Sequence, residues 1–347
     1  MQVPAFRPVP TKALPLALLA SALFALPCAH AQDAPSPSGP PPPSSAAGVA
    51  PEENQDIQTL KVGVNLVNMY FSARDKGGYI TNLHKEDCRV LENKVEQPIK
   101  NFTQEKNLPL TIGILLDTSY SQTNVLPLAQ DSSARFLKEV LRPKDEAFLI
   151  SFDINVDLLS DYTNSAAQIR RAINKATINS GSGSGSVTGN GQPRGTLLFD
   201  AVYLAANDKL RQEAGRKTLV LLTDGGDQGS QETLKTSIEA AQKANAIIYV
   251  ILIADRMNFG SFGVSDMQKL ANDTGGRVID VGNNGKKLEE AFDQIKDELR
   301  TQYLLSYTPL NTKTDGTYRK LELTCGKGLQ IQARKGYYAL ADSRGND

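Results

Sequence analysis

Residues 111–121 read TIGILLDTSYS. The first seven form a nearly unbroken apolar run closed by an acid. Strands covered on both faces carry such runs, whereas half-exposed strands alternate. A sheet covered on both faces needs helices, and residues 125–141 supply one, with Val125, Ala129, Phe136, Leu137 and Val140 at helical spacing. The pattern continues downstream. EAFLISF (146–152) reads as a strand and residues 155–160 as another, followed by a helix with Ala166, Ile169 and Ile173 inward. TLLFDAVYLAANDKL (196–210) is helical, TLVLLTD (218–224) is a second buried strand, and residues 232–245 are helical through Leu234, Ile238 and Ala241. AIIYVILIA (246–254) is a central strand. A short helix holds Met267, Leu270 and Ala271, and GRVIDV (276–281) is an edge or near-edge strand. A last helix, 286–301, aligns Leu288, Ala291, Phe292, Ile295 and Leu299. Strands alternating with helices over 107–301 predict an α/β fold: a doubly wound, mostly parallel sheet with helices on both faces.

Outside this unit the period changes to two. Leu60, Val62, Val64 and Leu66 share one parity and Val67, Met69 and Phe71 the other, which predicts a strand with a bulge near Leu66–Val67. Asp75-Lys76-Gly77-Gly78 is a turn, and CRVLE, Asn93-Lys94 and VEQPIKNF read as a hairpin. Downstream, YLLSY (303–307), YRKLELTC (318–325) and LQIQARKGYYA (329–339) read as three strands. Residues 55–106 are too short to bury two sheet faces alone. The economical architecture inserts the α/β unit in a small β-sandwich built from both chain ends, 55–106 and 302–340, with 341–347 as a tail. Cys88 shares parity with Val90, and Cys325 with Leu321 and Leu323, so both cysteines should face the sandwich core, bridged or free.

Residues 1–31 have the form of an export signal. Arg7 and Lys12 precede an apolar run over 13–26, and Ala29-His30-Ala31 fits a small-x-small cleavage site. The run is interrupted by Pro15 and is shorter than the roughly 20 residues of a membrane span. A retained anchor is the alternative to cleavage; lipidation of Cys28 is disfavoured by Pro27. Residues 32–54, rich in Pro, Ser and Ala, read as a disordered linker. The product is expected to be periplasmic or secreted, with no membrane span after signal cleavage. In that oxidising compartment the two remaining cysteines could pair.

The 347 residues carry 38 Lys+Arg and 38 Asp+Glu, a balance that argues against nucleic acid as a partner. There are two histidines, His30 in the signal and His84 in a hydrophilic turn, which leaves little for a Ser-His-Asp triad. The chemistry lies elsewhere. Asp117, Ser119 and Ser121 stand at i, i+2 and i+4 just past the carboxyl end of the first buried strand. Thr223-Asp224-Gly225 closes a second one. Between them, Gly195-Thr196 opens a helix after the Gly/Ser-rich loop 180–195. All three segments fall at the carboxyl edge of one parallel sheet, where ligand crevices form. Two carboxylates and three hydroxyls make an all-oxygen site. It suits a hard divalent cation, Mg2+ first, with Mn2+ or Ca2+ as alternatives, and no His or Cys favours zinc.

Taken together, Asp117-Thr118-Ser119-Tyr120-Ser121, Thr196 and Thr223-Asp224-Gly225 resemble the metal-ion-dependent adhesion site (MIDAS) of von Willebrand factor type A (VWFA) domains, over residues 107–301. The flanks, with KEDCRVLENKVEQPI, LRTQYLLSY and ARKGYYA, resemble the exported bacterial "VWFA-related" family. The resemblance implies Ser119, Ser121 and Thr196 as direct or near-direct ligands, Asp117 and Asp224 acting through water, and an open position filled by a ligand acid. It implies no catalytic set, and also a last helix whose displacement links the site to the sandwich. Tyr120 departs from the pattern, since many relatives carry a small residue between the serines.

The expected function is therefore a non-enzymatic, exported protein-binding or adhesion module whose metal captures an Asp or Glu carboxylate of a protein or peptide partner. A metal-assisted hydrolase with Asp224 or Asp227 as base is one alternative. A structural envelope protein with a purely structural metal is another. Other signals are weaker. Asp153-Ile154-Asn155-Val156-Asp157 opens like a calcium loop, but Leu158 stands at position six and Asn164 at position twelve, so it reads as a polar strand connection. Asp227 reads as a loop acid. The run 180–191 matches no phosphate-loop spacing.

Overall fold

The computed structural model describes residues 66–105, 108–178, 195–255 and 263–340. The signal (1–31), the linker (32–54), the parity of Leu60 to Val64, most of the 180–195 loop and the 341–347 tail lie outside the described residues. Strand β1 (Val67–Asp75) follows its sequence alternation: Val67, Met69, Phe71 and Ala73 are buried. The Asp75 carboxylate accepts the N–H groups of Gly77 and Gly78 and turns the chain into the short β2 (Gly78–Tyr79). Next come β3 (Cys88–Glu92) and β4 (Val95–Gln97). Their two-residue connection, Asn93-Lys94, has positive φ at both positions, the geometry that matches hairpin twist. Pro98, lacking an N–H, ends that ladder, and β5 (Ile99–Gln104) belongs to a different sheet.

The central unit begins with β6 (Leu110–Asp117), buried at every position. Helix α1 (Leu126–Val140), β7 (Glu146–Phe152), β8 (Val156–Thr163) and α2 (Ala166–Ile173) follow. Helix α3 (Leu198–Leu204) continues as a π-helical stretch, Ala205–Leu210. Then come β9 (Arg216–Thr223), α4 (Leu234–Ala244), β10 (Ala246–Ile253), α5 (Val264–Thr274), β11 (Val278–Gly282) and α6 (Gly285–Arg300). The six strands lie in the order β11-β10-β9-β6-β7-β8. All neighbours are parallel except the β7–β8 pair, so the expected mostly parallel sheet is present, with β11 at one edge. Strand alternation feeds two cores. Ile112, Ile114 and Leu116 pack with α1, α2 and α6 on one face. Leu115, Leu219 and Leu221 pack with α3, α4 and α5 on the other.

The chain ends with β12 (Tyr303–Tyr307), β13 (Tyr318–Cys325), β14 (Gln330–Ala333) and β15 (Gly336–Tyr338). One sheet runs β14-β1-β12-β5 with β2 on β1; the other runs β15-β13-β3-β4. Both draw on the two chain ends, and one apolar cluster spans them, including Met69, Phe71, Val90, Tyr303, Tyr307 and Leu321. Within it the Arg319 guanidinium stands 3.0 Å from the buried Glu92 carboxylate, which also accepts the hydroxyls of Tyr307 and Tyr337. Cys88 and Cys325, register partners on β3 and β13, are joined by a disulfide.

Two readings of the sequence need correction. VEQPIKNF is not one strand, and neither is LQIQARKGYYA. Each splits, at Pro98 and at Arg334-Lys335, and contributes one strand to each flanking sheet. At the second corner the reason is the Arg334 side chain, which is buried and donates to the carbonyl of Asn68 and to the side chain of Asn245.

One polar cluster joins the flanking strands to the last helix. Glu298 of α6 is buried and accepts hydroxyls from Ser72 of β1 and Tyr79 of β2, and it pairs with Arg277 at 3.1 Å.

Candidate metal centre

Two of the three site segments begin where a buried strand ends. Asp117 ends β6 opposite Phe152, and the Thr118 N–H extends the ladder by donating to the Phe152 carbonyl. The chain then leaves the sheet at Ser119 and enters a one-turn 3-10 segment, Tyr120–Gln122. Asp117 organises this exit. Its Oδ1 accepts the Ser119 N–H at 3.0 Å and the Ser119 hydroxyl at 2.6 Å, the side-chain-to-backbone turn that acids favour. Its Oδ2 accepts the Thr223 hydroxyl at 2.6 Å. The Ser119 and Ser121 hydroxyls lie 3.1 Å apart. On β9, the Thr223 hydroxyl oxygen accepts the Gly225 N–H and Asp224 Oδ1 accepts the Gly226 N–H, each at 3.0 Å. A continuous chain of oxygen contacts thus joins the ends of β6 and β9. Gly263, at the start of α5, closes this side: a Cβ there would lie 1.8 Å from the Gly225 carbonyl oxygen.

The electrostatics follow from burial. Asp117 is 1% exposed, and its carboxyl is pushed up to about 7, first by desolvation and then by the charge of Asp224. Hydrogen bonds from Ser119 and Thr223 oppose the shift without cancelling it. Among the described residues no lysine or arginine pairs with it or donates to it.

Thr196 arrives by a different route. Its N–H and carbonyl pair reciprocally with Gln228 at 2.9 Å, and the Leu197 N–H donates to the Asp153 carbonyl at 2.8 Å. The segment is therefore stitched between the β7–β8 connection and the loop beyond Asp224. Among the described residues, no hydrogen bond runs from its hydroxyl to the other four candidates. Tyr120 is 47% exposed on the turn between the two serines. Asp227 is a loop acid whose Oδ1 accepts the Phe199 N–H at the start of α3 and the Ser230 hydroxyl. His84 is a largely exposed turn residue. Among the described residues no three His, Cys, Asp or Glu side chains gather as a ligand group; the donors here are two carboxylates with hydroxyls.

The sequence reading passed over two buried acids at the same sheet edge, Asp153 and Asp255. Asp153 is buried just past β7, in the strand connection that imitates a calcium loop. Its Oδ2 accepts the Thr118 hydroxyl at 2.9 Å and its Oδ1 the Asn155 N–H, while its carbonyl holds Leu197. It thereby ties the Asp117–Ser121 segment to the Thr196 segment, through Thr118. Asp255, buried just past β10, accepts the Asn124 side chain at 2.8 Å. A signal for all of these was present: Asp117, Asp153, Asp224 and Asp255 each close or follow a buried parallel strand. Groups that orient direct ligands typically carry 10–100-fold in metal affinity. On the reading that this centre takes a divalent cation, Asp153→Ala should weaken Mg2+ binding by about that factor, with Asp153→Asn losing less, since it keeps one acceptor oxygen. Calorimetric titration of both variants checks this; wild-type affinity in Asp153→Ala would remove Asp153 from the site's support.

No known protein-family profile matches the sequence, and no curated protein is similar to it. Solved structures are. The vWF domain of the type V pili tip protein Mfa5 from Porphyromonas gingivalis is 15% identical, with 55% of this chain and 95% of that one covered and a TM-score of 0.43. The conserved hypothetical protein BatB from Bacteroides thetaiotaomicron is 16% identical over 55% of this chain and 99% of that one, at a TM-score of 0.42. Proximal thread matrix protein 1 from the mussel byssus, in a form with a zinc-occupied MIDAS motif, is 18% identical, covering 59% of this chain and 48% of that one at 0.46. The solved structures similar to this chain thus include von Willebrand factor type A domains, at identities where likeness concerns the fold.

Proposed function

We propose that this chain is an exported adhesion or protein-binding module of type A architecture, in which Asp117, Ser119, Ser121, Thr196 and Asp224 hold Mg2+ and the metal takes an Asp or Glu carboxylate from a protein partner. The observation that carries this reading is Asp117: a buried carboxylate, faced by a second one, ringed by hydroxyls and, among the described residues, paired with no lysine or arginine. That donor set fits a hard cation, which would bring positive charge to the two carboxylates. When bound, the ion would supply Lewis acidity toward an incoming anion. The protein's own part is to fix the hydroxyls: Asp117 orients Ser119 and Thr223, and the Gln228 bridge holds Thr196. On this reading the two flanking sheets form the small sandwich, and the 1–31 signal directs the product to the periplasm or beyond. Among the described residues no helix is long and apolar enough to cross a membrane.

The hydrolase alternative has no observation in its favour. Asp227 is committed to capping α3, and Asp224 accepts the Gly226 N–H. Coupling of the last helix to the site would have to break or carry along the Glu298 cluster, because that cluster ties α6 to β1 and β2.

The deciding experiment is capture of envelope proteins by the immobilised chain, wild type against Asp117→Ala, with Mg2+ or EDTA. The expected result is one or more partners retained by the wild type in Mg2+ and lost in EDTA and in the variant. Equal recovery from both proteins would reject the reading.

A further inference from the structure

Away from the metal centre, a concavity of about 610 Å3 opens between the β13–β15 pair and helices α4 and α5. Its volume falls within the roughly 300–1,000 Å3 of ligand pockets. The floor is aromatic. Tyr318 and Tyr338 are register partners on antiparallel strands, so their rings leave the sheet on one face, with centroids 5.2 Å apart and planes tilted by 57°. Their neighbours Arg319 and Tyr337 are buried, on the opposite parity. Gly336 makes room for this arrangement: a Cβ there would stand 2.3 Å from the Tyr318 ring. Tyr318 nevertheless stays 42% exposed. Leu234 and Ile238 of α4 add apolar wall, and Thr233 and Gln242 add polar groups.

The charge is lopsided. Lys235, Lys269, Lys320 and Lys335 line the groove against Glu239 and Asp273, an excess of two positive charges. Lys269 is held by Asp273 at 2.6 Å and Lys320 by Glu322 at 2.8 Å. Lys235 stands 4.0 Å from Glu239, and no ion pair involves Lys335 among the described residues. The edge strand β15 spans three residues and packs against α4, which leaves too little ladder for a peptide to add as a strand. What the groove offers is the Tyr318 ring, the Tyr338 ring with the Lys243 ammonium 5.1 Å from its centroid, and surplus ammonium groups at the wall.

We infer that this groove binds an anionic carbohydrate: a uronic-acid-type oligosaccharide whose flat C–H faces lie on Tyr318 and Tyr338 and whose carboxylates meet Lys335 and Lys235. Sugar rings match the demand for a flat apolar face with hydroxyls at its rim, and the charge excess selects an acidic one. The site is independent of the metal centre.

The test is native electrophoresis of the full chain through gels containing polygalacturonate, neutral hydroxyethyl cellulose or poly-glutamate, with EDTA throughout so that no metal can bridge. Retardation is expected in polygalacturonate and not in the other two. Tyr318→Ala is expected to weaken it about tenfold, the upper value for one aromatic contact. Lys335→Gln should weaken it several-fold, and Asp117→Ala should leave it unchanged. Tyr318 is exposed, so its variant should unfold at the wild-type temperature; if it does not, Lys335→Gln decides. Free migration in polygalacturonate, equal retardation by poly-glutamate, or full retardation of both groove variants would each overturn the inference.

Discussion

Asp117→Asn is expected to do two opposite things: to stabilise the metal-free protein at neutral pH and to abolish its response to Mg2+. The argument starts from the raised carboxyl. In the unfolded chain it titrates near 3.8, and in the fold near 7. Between those values the native state holds a proton that the unfolded state has lost, so stability falls as pH rises through this window. Below it the acid is neutral in both states and costs nothing. Above it the fold carries a buried charge facing Asp224, at a cost whose ceiling is about 4 kcal/mol. Asn cannot ionise, so the variant should lack this slope. The gain will fall short of the ceiling, because the Asn amide must face the Thr223 hydroxyl that Asp117 now accepts. Metal works against the same term. A cation must displace the proton, so apparent Mg2+ affinity should fall about tenfold per pH unit below 7 in the wild type. Urea unfolding between pH 4 and 8, with and without Mg2+, reads both effects. A flat wild-type profile in EDTA, or an Asn variant that still gains stability from Mg2+, would contradict the account.

The same acid shows what a sequence can and cannot reveal. The apolar runs of β6, β9 and β10 allow no half-exposed strand, and helical spacing between them leaves a covered parallel sheet as the consistent outcome. Asp117 and Asp224 were legible because they close such runs. The two-residue alternation also placed most flanking strands, and it put Cys88 and Cys325 on inward parity. It failed at Pro98 and Arg334, where local alternation continues across a corner. Which sheet a strand joins there is set by partners more than 200 residues away, as in the Arg334 bond to Asn68. Asp153 was overlooked for a related reason. Its role rests on Thr118 and Leu197, neither of which is near it in sequence. Thr196 is held by a backbone bridge to Gln228, and pairings of that kind leave no trace in residue type.

Reducing the Cys88–Cys325 bond is expected to remove about 2–5 kcal/mol of unfolding free energy. The bond closes a loop of 237 residues, so much of its effect falls on the unfolded chain, which loses the freedom to separate its two ends. The ends need this constraint more than the centre does. The buried members of the two cores flanking the central sheet lie between Leu110 and Leu299, within one continuous stretch. The third core cannot assemble until strands from both sides of that stretch meet. Loss of the bond should therefore loosen the flanking sheets first and leave the Asp117 site intact. Urea titration of Cys88→Ser with Cys325→Ser is expected to show an early transition that Mg2+ does not move and a later one that it does. If the double variant unfolds at the wild-type midpoint, the disulfide is a bystander and the apolar cluster alone holds the chain ends together. If the metal-dependent transition disappears along with the bond, the α/β body relies on the flanks for its fold, and insertion has made one cooperative unit out of two cores.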